Sequence, residues 1–127
     1  CVVLAIDTNE IDGKWQVFTH GGRKPTGIDT FAWAREAQER GAGEILLTSM
    51  AHDGTKKGFA ITLTAAVSNV ISIPVIASGG AGNAQHFAEV FTDGQADAAL
   101  AASIFHFGEV PIPDLKAFLK TQNIPVR

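Results

Sequence analysis

The chain has a single cysteine, Cys1, among 127 residues, so no internal disulfide can brace it. That scarcity predicts a reducing compartment, and the cytoplasm is the expected location. Long apolar runs are missing as well. No stretch reaches the roughly 20 residues that span a bilayer, and no basic-then-apolar signal pattern is present, so no membrane association is expected. Positive charge is sparse: 10 Lys and Arg against 13 Asp and Glu leave a net −3, scattered rather than gathered into a stripe. This removes the electrostatic footprint of a nucleic-acid binder. The four histidines, His20, His52, His86 and His106, form no i,i+4 pair and no carboxylate cluster of ligand spacing. No metal and no cofactor is therefore predicted.

With 46% hydrophobic residues, 127 positions suffice for one compact domain, residues 1–127. They are too few for a single-chain eight-stranded barrel of about 250 residues. The abrupt apolar opening, Cys1-Val2-Val3-Leu4-Ala5-Ile6, has no initiator Met or polar lead-in and predicts that the chain is a piece of something longer.

Apolar runs alternate with helical periodicity four times, the signature of βα units around a parallel sheet buried on both faces. The predicted fold class is α/β. A first strand runs from Val2 to Ile6 and ends at Asp7; Trp15 to His20 reads as an arm of a hairpin turning at Asp12-Gly13. A helix follows from about Thr30 to Arg40, with Glu36 and Arg40 at i,i+4 and Gly41 as its stop. The second strand, Glu44 to Thr48, leads into a polar loop, Ser49 to Phe59, of the kind that lines active sites. Leu63, Ala66, Val67, Val70 and Ile71 share one helix face. A third helix starts near Asn83 and buries Phe87, Val90 and Phe91, and a last one starts at Pro113-Asp114 and presents Leu115, Phe118 and Leu119. Residues 42–49 and 96–103 echo one another, which suggests stacked two-unit repeats. Four such strands fit an open flavodoxin-type sheet or half a barrel, and the small strand residues favour the barrel.

Two glycine-punctuated or small-residue strand ends carry the chemistry. Ala77-Ser78-Gly79-Gly80-Ala81-Gly82 follows the strand Ile73 to Ala77, and Ala101-Ala102-Ser103-Ile104-Phe105-His106 follows the strand Ala96 to Ala101. Each opens a helix, so bare amides and helix N-termini converge where an anion can sit. Ser78 and Ser103 lie at matching strand ends, as hydroxyl donors to that anion or as helix caps. Asp53-Gly54-Thr55 is a turn by composition, and its place in the loop also lets its amides and Thr55 reach a phosphate. Asp7, at a strand's end, reads either as an acid/base carboxylate on the rim where α/β folds bind ligands or as a loop-closing acceptor. His106 reads as a packed core histidine ahead of a general base, and Lys56 and Lys57 as solvated charges able to fold over a phosphate.

These residues resemble the C-terminal half of the cyclase subunit of imidazole glycerol phosphate synthase, from histidine biosynthesis. The resemblance runs nearly end to end, through Ala5-Ile6-Asp7, Arg40 to Leu47, Asp53-Gly54-Thr55, residues 77–82 and residues 101–106. It implies a (βα)4 half of a (β/α)8 TIM barrel. It also implies cyclase chemistry, with ammonia from a glutaminase subunit, on an aminoimidazole-carboxamide ribonucleotide carrying two phosphates. Asp7 then becomes one of two acid/base aspartates, and Gly54, Gly79, Gly80, Ala102 and Ser103 hold one substrate phosphate beside Asp53. Glu44 matches a charged residue of the ammonia gate. Ala51, Phe59 and Ala60 depart from the family, where aspartate, tyrosine and aspartate are usual. A half-barrel leaves two long apolar edges and a bare inner face, so homodimerisation that closes the barrel is expected. The alternative to cyclase function is a self-assembling phosphate-binding half-barrel without turnover.

Overall fold

The computed structural model describes residues 1–127. Its six strands and five helices, in chain order, are β1 (Val3–Ile11), β2 (Lys14–Thr19), β3 (Lys24–Asp29), α1 (Thr30–Glu39), β4 (Glu44–Ser49), α2 (Ile61–Val70), β5 (Val75–Ser78), α3 (Ala84–Thr92), β6 (Ala98–Leu100), α4 (Ser103–His106) and α5 (Ile112–Thr121). The strands form one sheet in the order β3-β2-β1-β4-β5-β6. β1, β4, β5 and β6 are parallel neighbours, the (βα)4 half-barrel unit expected from the sequence. β2 and β3 are antiparallel additions at one side.

The helices hold to this sheet through one face. Ile6, Ile45, Leu47 and Val75 point from the strands into a cluster with Ala34 and Ala37 of α1 and Leu63 and Val67 of α2. A second cluster joins Ala77 to Phe87 and Val90 of α3, Ile104, and Leu115 and Leu119 of α5. Phe59 closes it, its ring edge-on to Phe87 at 5.3 Å. Local chemistry fixes the connections. Asp29 caps α1 by accepting the Ala32 amide at 2.8 Å, and Gln38 Oε1 accepts the amides of Ser72 and Ile73, tying α1 to the turn before β5. No helix is long and apolar enough to cross a membrane.

The structure corrects the sequence reading of the sheet in four places. β1 runs on to Ile11 instead of ending at Asp7, because its far half pairs with β2 from Asp7↔Phe18 to Ile11↔Lys14. β3 was not anticipated: all six of its residues are exposed, so no burial pattern marks it. The sheet is buried on one face only. In β4 burial alternates, with Ile45, Leu47 and Ser49 buried and Glu44, Leu46 and Thr48 only partly so. The apolar edges are also shorter than expected. They reduce to Val3–Ile6, the half of β1 that β2 does not reach, and to the three residues of β6.

On the open face, register stacks the side chains in rows. Ala5, Leu46, Ile76 and Ala98 form one row; Asp7, Thr48, Ser78 and Leu100 form the next, toward the C-terminal ends of the strands.

Candidate functional site

Three loops leave the C-terminal ends of β4, β5 and β6 and enclose a cleft of about 230 Å³. The β4–α2 loop is built from its own turns. Asp53 donates its amide to Ser49 O at 2.9 Å, and the Thr55 hydroxyl donates to His52 O at 2.7 Å. Gly58 then donates to Gly80 O at 2.8 Å, joining this loop to the β5–α3 loop.

Glycine is required at that junction for the approach of backbone to backbone. Gly79 has φ +97° and Gly80 φ +104°, conformations that L side chains rarely adopt. A Cβ on Gly79 would lie 2.9 Å from Ser49 O, and one on Gly80 would overlap the carbonyl oxygen of Gly58. Gly54, at φ +75°, has nothing near its missing Cβ, so there the turn alone demands glycine.

Asp53, Gly54, Ser78, Gly79, Gly80, Ala102 and Ser103 all line the cleft. Thr55 does not, its hydroxyl being engaged with His52 O and accepting the Lys57 amide at 3.3 Å. None of the amides of Gly54, Gly79, Gly80 or Ala102 donates to another backbone carbonyl, so four N–H groups around the cleft are free for a ligand's oxygens. α3 starts beyond the residues that line the cleft, its N-terminus capped by Asn83. α4 is a single turn of four residues and brings little macrodipole, contrary to the sequence reading of two helix ends.

Asp7 stands apart from this cleft. It shares a register row with Thr48 and Ser78, two strands from Ser78, or about 10 Å at the usual strand spacing. It is half-buried on the open face, flanked by Phe18 of β2, and takes part in neither of the two ion pairs. Glu44 lies two rows lower on that same face, at the opposite ends of the strands. His106 is exposed beside Phe107, not packed in the core.

One residue read as able to fold over a phosphate gains a partner that the sequence did not show, and one participant was not legible there at all. Lys56 lines the cleft, and its Nζ is held by both carboxylate oxygens of Glu109 at 2.7 and 2.9 Å, a contact spanning 53 residues. His86 braces the β5–α3 loop by accepting the Gly82 amide at 3.0 Å. Only its position three residues after the cap Asn83 hinted at that role. No group of three or more His, Cys, Asp or Glu side chains is placed to hold a metal.

Comparison with known proteins agrees with this architecture. The family described as "Histidine biosynthesis protein" matches residues 1–111. The imidazole glycerol phosphate synthase subunit HisF of Cytophaga hutchinsonii is 62% identical over 127 residues, covering 100% of this chain and 51% of the relative. The subunit of that name from Acidobacterium capsulatum is 64% identical over 126 residues, 99% of this chain and 50% of the relative. The chain thus spans about half the length of the curated relatives it matches. Its matched residues run from the first strand through α4 to the residue before α5, and the chain belongs to the histidine biosynthesis protein family.

Proposed function

We propose that this chain is the phosphate-binding, Asp7-bearing half of an imidazole glycerol phosphate synthase cyclase. The observation that carries the reading is the cleft. Seven residues drawn from three loops far apart in sequence converge on it, with four backbone amides that have no carbonyl partner. Such amides bind a phosphate without any lysine or arginine, because each N–H brings a fixed partial charge and its desolvation is already met. One phosphate of a bis-phosphorylated aminoimidazole-carboxamide ribonucleotide sits there. The reacting part of the substrate then extends over the open face toward Asp7, which acts as one acid/base group. The second aspartate, the second phosphate site and most of the ammonia path belong to the half of the relatives that this chain does not span, and so does half of the docking face for a glutaminase subunit. The test is titration with inorganic phosphate, followed by amide NMR. Saturable shifts confined to Gly54, Gly79, Gly80, Ala102 and Ser103 are expected, and unmoved amides at these positions would refute the site.

The bare inner face supports a second reading, a phosphate-binding half-barrel that assembles with itself. Leu100 and Val3 are 44% and 47% exposed, and Leu46 and Ile76, which share a row on that face, are only partly buried. Two copies related by a two-fold axis can pair the free edge of β1 with that of β6, closing a barrel with two clefts on one rim. Light scattering over a dilution series is expected to give twice the chain mass of 13.4 kDa. A mass that stays at one chain at every concentration excludes the closed dimer.

A further inference from the structure

Two of the three loops that form the cleft run past one side chain, His86, which belongs to neither. It lies on the first turn of α3, where its own amide donates to Asn83 Oδ1 at 3.1 Å. Its Nδ1 accepts the amide of Gly82 at 3.0 Å. That N–H must donate, so Nδ1 is the acceptor. The other face of the contact is the β4–α2 loop. The ring faces Gly58 across the space of one methyl group: a Cβ there would make ordinary contact with Cδ2 at 3.6 Å and Nε2 at 3.7 Å. Gly58 is the residue whose amide donates to Gly80 O, and Gly82 is so close to Lys56 that a Cβ would overlap its carbonyl.

We infer that His86 is a positioning residue for the phosphate cleft: it fixes Gly82 through Nδ1, and so sets where the Gly79 and Gly80 amides point. This rests on the phosphate reading above. The mechanism is geometric. Gly79 to Gly82 are in no regular element, and the only hydrogen bonds recorded for these four residues are Gly58 N–H to Gly80 O and Gly82 N–H to His86 Nδ1. Removing the second leaves the loop anchored at one point, and amides that must converge within a few tenths of an ångström on a small anion then sample a range of directions. A fully structural role would register in stability alone. A positioning role registers in phosphate affinity and is rescued by any side chain that restores the acceptor.

The test compares His86→Phe, which keeps a ring and loses the acceptor, with His86→Asn, whose amide oxygen replaces Nδ1 at similar reach. Inorganic phosphate is titrated into each variant and into the unaltered chain by calorimetry. Gly82 amide exchange is measured without phosphate. His86→Phe is expected to weaken phosphate about tenfold, ~1.4 kcal/mol, and to speed Gly82 exchange. His86→Asn is expected to stay within about threefold of the unaltered chain, ~0.7 kcal/mol. Equal affinity in all three proteins overturns the inference and leaves the phosphate site standing, whereas no binding by the unaltered chain overturns both. If His86→Phe does not fold, His86→Asn decides: slow Gly82 exchange with retained affinity supports the inference, and tenfold loss despite the restored acceptor overturns it.

Discussion

Gly80→Ala is expected to destabilise the chain by on the order of 3 kcal/mol and to lower its melting temperature by about 10 °C. Two costs add. The residue sits at φ +104°, outside the left-handed basin that other residues visit, and its new methyl would overlap the Gly58 carbonyl. That oxygen has little freedom to retreat, because the Gly58 amide is bonded back to Gly80 O at 2.8 Å. Relief therefore requires the two loops to part, which also scatters the amides of the cleft. Gly54→Ala is the control. Its φ of +75° is close to the left-handed basin and no atom lies within 4 Å of the added carbon, so a loss of about 1 kcal/mol is expected. Calorimetric melting of both variants separates the contributions. If Gly80→Ala melts with Gly54→Ala, the backbone packing of the two loops is not what holds the cleft.

Asp7→Asn is expected to lower turnover by about 10²- to 10⁴-fold, the usual contribution of one acid/base group, while leaving phosphate binding unchanged. The separation follows from position. Asp7 lies on the open face across β4 from Ser78, with its own row neighbours Thr48 and Phe18, and it lines no part of the phosphate cleft. Asparagine is nearly isosteric, so the row keeps its shape and only proton transfer is removed. Phosphate affinity is read by titration and turnover by product formation with ammonia, the chain being mixed with the half of the Cytophaga relative that it does not span. Unchanged turnover would remove Asp7 from the acid/base role. Lost turnover together with lost phosphate binding would instead point to a disturbed strand.

The parts of this fold that sequence disclosed are those with a strong local signature. Alternating apolar runs placed β4 and β5 to within a residue or two, and the Thr30 start of α1 follows from Asp29 as its cap. β3 was hidden because Lys24 to Asp29 are exposed throughout, and strand character set by a neighbour's hydrogen bonds leaves no pattern of its own. The open face was hidden for the opposite reason. Leu46 and Ile76 read as buried, since strands made to line a barrel interior are apolar on both sides whether or not the interior is closed. In the site, the glycine pair was legible but its reason was not: ligand approach and loop-on-loop packing select glycine alike, and only Gly58 O beside Gly80 distinguishes them. Two positions where the resemblance implies tyrosine and aspartate have a physical reading in this structure. Phe59 is buried edge-on against Phe87, where a ring without a hydroxyl needs no partner, and Ala60 leaves α2 without a side-chain cap.

The claim that unites these observations is that the chain supplies half of a cyclase active site, and the most direct measurement is the rate of cyclisation with ammonia by the mixture of halves described above, beside each half alone. The account predicts turnover in the mixture well above the sum of the separate halves, saturable in the half that complements this chain. Stable association of the two halves without any turnover would contradict it.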